Sequence, residues 1–397
     1  MTHPVRLKVE LAVRGARVDP SVRLAPRGES AGSVDLVLPD GVRVDVRVDE
    51  RQTAGSPFLL TAEGAGHVLV RRDAGGAETA RVAVRPVPRP AFYERLTSSG
   101  TPMRRVATVR GTHLLVSPTT ACGFTVLGTP CRFCVEGARG AADREAVPVA
   151  DVVEVVRAAF DEGACGSVYF NTAFFDGEDG GIAFLQPYVE AVRKHFDTLV
   201  ATQVHPPRSN RWIDRTYAMG VDAVSYNLEI FDPGILSRHC IGRVRYVGRE
   251  RYLEALGYAA EVFPSGTVWT DLVLGLEPAE STMAGIDALV DMGVVPVAGI
   301  VRGEQPVSAV ADVTAVLAHL YRAVKRRGIN MGWVRDLTLG ITPLEARHFA
   351  GDGARLAVAV QNLTRSRLGG LAARGLARFR RRLRVRKVSG SFAAAQL

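Results

Sequence analysis

From residue 113 to residue 302 the chain alternates short apolar runs with longer stretches of helical periodicity, and this alternation limits its fold more than any other feature. The runs are HLLVSPT (113–119), SVYFNTA (167–173), TLVATQV (198–204), AVSYNLE (223–229), TVWTDLVLG (267–275) and VVPVAGIVR (294–302). Between them lie VPVADVVEVVRAAFDEG, YVEAVRKHF, RERYLEALGYAAEVF and STMAGIDALVDMG, whose apolar residues recur at helical spacing. A strand followed by a helix-length connection and another strand favours parallel pairing. Right-handed crossovers then curl six such units into a partial or complete (βα)6-type barrel, an α/β fold. In folds of this kind chemistry sits at the C-terminal ends of the strands.

Residues 1–90 read differently. VRLKVELAV, SVDLVLPD, VRVDVRV, HVLVRR and ARVAVRPV alternate with period two between Gly, Asp and Pro turns, which predicts a small β domain. PVPRPAFY (86–93) holds three prolines in eight residues and reads as an extended connector. The barrel unit is expected over 91–345 and a helical basic tail over 346–397.

The net charge of +9 comes from that tail, because ten Arg/Lys and no Asp/Glu follow from Arg365 onward. The rest of the chain is within one charge of neutral. The tail could meet RNA, anionic lipid or an acidic partner. RSRLGGLAARGLARFRRRLRVRK has a single aromatic residue, so it lacks a stacking platform for nucleic acid and reads as a solvated helical segment. With 47% hydrophobic and 23% charged residues the chain is expected to be globular rather than disordered. MTHPVRLKVELAVRG lacks a secretory apolar segment, and no run of about 18 apolar residues marks a membrane span, so a cytoplasmic location is expected.

Five cysteines in 397 residues are too few for a disulfide framework, and three of them cluster in ACGFTVLGTPCRFCVEGARG, just after the first barrel strand. Cys122, Cys131 and Cys134 therefore lie on the expected chemical face. Structural zinc normally takes four ligands, and this loop offers three thiols and no His. A [4Fe–4S] cluster held by three thiolates leaves one iron open. The third reading is that they are small buried hydrophobes. Cys165 precedes the second strand and is expected in the core. Cys240 follows the fourth strand on the chemical side. His205 and His239 also follow strand ends, as proton shuttles or as ordinary loop contacts.

C-x8-C-x2-C with Phe133 directly before the last cysteine, followed by βα units, resembles the radical S-adenosylmethionine (radical SAM) superfamily, whose usual loop is CxxxCxxC with an aromatic before the third Cys. The first spacing here is eight rather than three. SYNLEIFDP at the fourth strand end resembles the NLE or NLD segment of lipoyl and biotin synthases, which implies that Asn227 and Glu229 bind the ribose and methionine parts of SAM. DLVLGLEPAEST resembles the superfamily's glycine-bearing strand end, implying that Gly275 lies against adenine between Leu274 and Leu276; read from the residues alone, with Ser281 as a helix cap, the same segment is a simple strand-to-helix turn. Asn171 and Thr172, in FNTAFFDGEDGG, stand where relatives hold the SAM amino group, and the Gly/Asp-rich loop after them is expected to turn the chain or touch substrate. Arg243 or Arg245, in CIGRVRYVG, is the candidate for the SAM carboxylate.

PVPRPAFYERLTSSGTP running into VATVRGTHLLVSPTTACGF and CRFC further resembles a radical SAM subfamily encoded beside nitrilases in bacterial gene clusters, although Glu277 stands where its GLGE segment has a second Gly. The resemblance implies an enzyme in which a [4Fe–4S] cluster on Cys122, Cys131 and Cys134 cleaves SAM reductively to a 5′-deoxyadenosyl radical that abstracts hydrogen from a small-molecule substrate. It also implies a reductant such as ferredoxin or flavodoxin, and makes Cys240 a candidate hydrogen donor. Two other readings stand beside it: a zinc or iron–sulfur scaffold closed by Cys240, His205 or His239, and an RNA-binding or RNA-modifying protein using the tail.

Overall fold

The computed structural model describes residues 3–22, 32–134, 145–300, 310–332 and 340–351. Beyond 351, the predicted basic tail lies outside the described residues.

Among the described residues thirteen strands form two sheets. β1 (Arg17–Val18), β2 (Ser33–Val37), β3 (Arg43–Arg47), β4 (Phe58–Glu63), β5 (Gly66–Arg72) and β6 (Glu78–Pro86) make a six-stranded sheet in the order β1-β4-β5-β6-β2-β3. Its pairs are antiparallel except β1 with β4. Val34, Leu36, Val44, Val46, Phe58, Leu60 and Leu69 form its buried face.

The first segment of this region corrects the sequence reading. VRLKVELAV is not a strand but part of a helix, Pro4–Arg14. Pro4 occupies the first turn, where its missing N–H costs nothing, and His3 Nδ1 accepts from Val5 N. Gly15, at φ 64°, ends the helix, and a Cβ there would lie 2.7 Å from Arg47 O. The strand-like alternation arises because the helix is buried on two sides. Val5, Leu7 and Leu11 join the core of the six-stranded sheet, whereas Val9 joins the other core and buried Lys8 pairs with Glu345 at 2.8 Å.

β7 (Ala107–Arg110), β8 (His113–Val116), β9 (Ser167–Asn171), β10 (Leu199–Gln203), β11 (Ala223–Ser225), β12 (Val268–Leu274) and β13 (Val295–Ile300) form the second sheet, hydrogen-bonded in chain order. β8 to β13 are mutually parallel and β7 adds an antiparallel edge. A singly wound order like this carries its crossover helices on one face, so the other face is buried by curling: the sheet is an open, partial barrel. The helices Val149–Asp161, Ile182–His195, Arg249–Val262 and Ala279–Asp291 coincide with the predicted helical stretches.

The proline connector is pinned rather than loose. Glu162 accepts from Ala91 N and Phe92 N at 2.6 and 3.0 Å, and Tyr93 OH accepts from Val109 N at 2.7 Å. Among the described residues no helix is long and apolar enough to cross a membrane.

Candidate functional site

The loop after β8 carries the three clustered cysteines, and two glycines allow it to dock. Cys122 precedes a one-turn helix, Gly123–Val126. Gly123 N donates to Phe174 O at 2.9 Å, and a Cβ on Gly123 would lie 2.8 Å from that oxygen. Phe124 is buried, stacked on Phe174 with centroids 4.0 Å apart and met edge-on by His205. From the other side the helix Ile241–Tyr246 approaches so closely that a Cβ on Gly242 would lie 2.6 Å from the Phe124 ring. Arg132 N donates to His239 O at 2.9 Å, which seats Cys131 beside Cys240.

Cys131 and Cys134 share one turn, closed by Cys134 N donating to Cys131 O at 3.1 Å. Cys122 stands at the far end of the short helix. All three are partly exposed, whereas Cys240 is fully buried. Among the described residues no three His, Cys, Asp or Glu side chains gather into a group that could hold a metal ion, so the trio singled out in the sequence does not converge here. Cys131 instead has Cys240 and Arg243 as its neighbours, and Arg243 Nε donates to its Sγ at 3.4 Å. These partners hold Cys131 well below the usual thiol range despite its burial. The same pairing, with burial, pushes Cys240 up.

Arg243 joins the thiol loop to the end of β11. Its guanidinium donates to Asn227 O and, at 3.1 Å, to Glu229 Oε1. Burial opposes its charge, but Tyr252, Cys131, Glu229 and Cys240 around it keep it protonated well above its ordinary value. Glu229 is held at φ 71°, a left-handed conformation that a non-glycine residue rarely adopts. Its N–H donates to Asp271 O and its own carbonyl accepts from Val273 N, so β12 fixes that turn.

Asn227 Nδ2 donates to Asp271 Oδ2 at 2.9 Å, and Asn227 Oδ1 accepts from Ser225 Oγ and Asp271 N. Burial first, then neighbouring Glu229, pushes the Asp271 carboxyl up to about 7. Burial also raises Glu229, against the pull of Arg243. His205 Nδ1 pairs with Tyr252 OH at 2.6 Å, and burial with the nearby Arg243 charge keeps the imidazole neutral, well below its usual value.

Other candidates fall at or away from this group. Asn171 ends β9, and Thr172 N donates to Gln203 O. Gly275 follows β12 at φ 97°. Phe133 packs against the core beside Cys131. Arg245 is exposed, set over the Tyr246 ring, and stands apart from the Arg243 group. Cys165, at the other end of the strands, is half-buried, and burial with Glu162 pushes it up to about 12. Ser281 does not cap the next helix, which starts at Ala279. Its Oγ donates to Glu277, as does Thr282. Glu277 accepts from Phe231 N and Asp232 N as well, so this carboxylate ties two loops together where a glycine would leave both N–H groups unmet. The Gly/Asp-rich loop turns the chain: Gly180 and Gly181 have positive φ, and Asp179 accepts from Ala183 N.

Sequence reasoning missed Asp271 and Tyr252. A lone acid in the apolar run TVWTDLVLG was a usable signal, because a carboxylate in a strand buried on both faces needs a reason. Two buried acceptors here lack a protein partner, Asp271 Oδ1 and Thr172 Oγ1, and hydroxyl or ammonium donors would satisfy them. The thiols are suited to soft metals.

No family model matches the chain. Over 98 residues it is 26% identical to bacteriochlorophyllide c C-7(1)-hydroxylase of Chlorobaculum limnaeum, a stretch covering 24% of each protein. Among solved structures it resembles the FeFe-hydrogenase maturase HydG from Carboxydothermus hydrogenoformans, with TM-score 0.46 and 12% identity over 54% of this chain and 52% of that one. Methylornithine synthase aligns at TM-score 0.42 and 12% identity over 53% and 63%. A radical SAM methyltransferase from Sphaerobacter thermophilus aligns at 0.40 and 12% over 69% and 75%. The chain thus spans about a quarter of the curated relative it matches and about half of the maturase.

Proposed function

We propose that this chain is a radical SAM enzyme of the cytoplasm that acts on a small-molecule substrate and draws electrons from a ferredoxin- or flavodoxin-type reductant. One observation carries the reading: Arg243 bridges the thiol loop, through Cys131, and the amide and carboxylate at the end of β11, Asn227 and Glu229.

The residues fit the two cofactors in kind. Three partly exposed thiols on one loop, one of them held toward its thiolate, are the donors an iron–sulfur cluster takes. Their sulfurs are not gathered into one group in this structure. The unpartnered Asp271 Oδ1 and Thr172 Oγ1, with Glu229 close by, suit the hydroxyl and ammonium groups of S-adenosylmethionine. In this reading Cys122, Cys131 and Cys134 hold the cluster, while Asn171, Thr172, Asn227, Glu229, Arg243 and Gly275 line the SAM site. When bound, the pair supplies an electron and a 5′-deoxyadenosyl radical able to take hydrogen from carbon.

The chain's own work is positioning. Arg243 fixes the carboxylate of Glu229 and stabilises negative charge on Cys131. Asn227 spends its amide on Asp271 and its oxygen on Ser225, so the β11 end is rigid before any ligand arrives. Phe124, Phe174 and His205 pack their rings together beneath the loop, with a neutral imidazole among apolar edges, which keeps water from its buried side.

The test is anaerobic reconstitution with iron and sulfide, reduction with dithionite and assay of 5′-deoxyadenosine from SAM. Nucleoside formation that depends on all three loop cysteines supports the reading. Bound zinc, or bound iron with no nucleoside under several reductants, overturns it in favour of a metal scaffold.

A further inference from the structure

Among the described residues five large apolar side chains are exposed, and four of them sit on or beside the thiol loop: Val126 (56%), Leu127 (42%), Ile241 (41%) and Val244 (38%). They belong to two segments packed on each other through Phe124 and Gly242. Single exposed apolar residues are ordinary, but four on two contacting segments mark a binding face. The same segments, 122–134 and 237–249, contain five arginines and neither Asp nor Glu. Arg132 and Arg245 are exposed among them. An apolar centre with a charged rim is the anatomy of a transient protein interface, here basic.

The charge decides what covers it. The chain's own segment from Arg365 onward is basic without an acid, and a second copy of this face would set arginines against arginines, so both are disfavoured. Cys131 and Cys134 lie on one of the two segments, so a partner seated here is next to the thiols. We propose that this face docks an acidic electron-carrier protein, whose carboxylates meet Arg132 and Arg245 while an apolar patch meets Val126, Leu127, Ile241 and Val244. This rests on the radical SAM reading, because it takes the thiols as the place electrons must reach.

The experiment measures binding of the full-length chain, before and after iron–sulfide reconstitution, to a purified acidic flavodoxin and a purified ferredoxin by calorimetry. Binding to one carrier that weakens about tenfold or more when salt is raised from about 0.05 to 0.5 M is expected. The Arg132→Glu/Arg245→Glu and Val126→Ser/Ile241→Ser/Val244→Ser variants should each weaken it about tenfold or more, whereas Arg322→Glu on the distant helix Val310–Arg327 should not. Circular dichroism confirms that the variants are folded. The triple serine variant should keep dithionite-driven SAM cleavage while losing carrier-driven cleavage. No binding to either carrier, binding indifferent to both sets of changes, or self-association through this face in sedimentation would each overturn the proposal. The two readings fail separately: carrier binding at this face without SAM cleavage sinks the radical chemistry, and dithionite-driven cleavage without binding sinks the docking face.

Discussion

On the six-stranded sheet the charges of β4 to β6 pair outside, Arg81 with Glu78 and Glu63 at 2.8 Å each, on side chains 40–55% exposed. At the ends of β11 and β12 they pair inside, with Arg243 and Glu229 only 9% and 12% exposed. A surface pair is screened by water and contributes little, whereas burying charge costs several kcal/mol unless every partner is present. The displaced titrations of Cys131, Glu229 and Asp271 gather around this buried pair, which is what singles it out from the surface pairs.

The harshest way to break this contrast is to remove thiols. Cys122→Ala, Cys131→Ala and Cys134→Ala should each abolish the bound cluster and all 5′-deoxyadenosine formation, while Cys165→Ala keeps both. Iron counts and nucleoside assay decide it, and equal loss in the Cys165 variant would show that position on the strand ends does not separate these cysteines.

Next comes Arg243→Met, which leaves Glu229 buried without its cation. Stability should fall by about 3–5 kcal/mol in urea unfolding. Arg243→Met/Glu229→Gln should recover part of that loss, since the double change removes the stranded charge. If the single variant unfolds as the wild type does, the pair is not the buried contact described.

Asp271→Asn is smaller and depends on pH. The folded carboxyl is raised to about 7, above its unfolded value near 4. The stability it contributes is therefore full below about pH 4 and is lost as pH rises through about 7. Wild type should lose about 2–4 kcal/mol more than Asp271→Asn between pH 4.5 and 8. Parallel unfolding curves across that range would place the Asp271 titration elsewhere.

How much of this was written in the sequence depends on where burial is one-sided. The six parallel strands were legible because each is a compact apolar run between amphipathic helices. The first helix was not, because burial on two sides gave Val5, Leu7, Val9 and Leu11 the alternation of a strand. β7 was overlooked because it is four residues long, ATVR, with little apolar content. Asn227, Glu229 and Arg243 were singled out from sequence and stand in one hydrogen-bonded group. Cys240 was raised from sequence only as one of three residues able to close a site with the loop thiols, and its contact with Cys131 could not be picked out, because it depends on a backbone bond from Arg132 to His239, more than a hundred residues apart. No spacing rule carries that information.

The mildest change sharpens the comparison from the other side. Arg81 makes two ion pairs, one more than the Lys8–Glu345 contact buried between the sheets, so a count of bridges would rank it higher. Exposure reverses the ranking. Arg81→Ala should leave the melting midpoint unchanged within error, since water replaces its carboxylate partners. Lys8→Met strands Glu345, which is 19% exposed, and should lower the midpoint measurably. Glu345→Gln in the Lys8→Met background should restore part of it. If Arg81→Ala costs as much as Lys8→Met, burial is not what separates the two regions, and the case for reading the buried charges of the barrel as functional weakens with it.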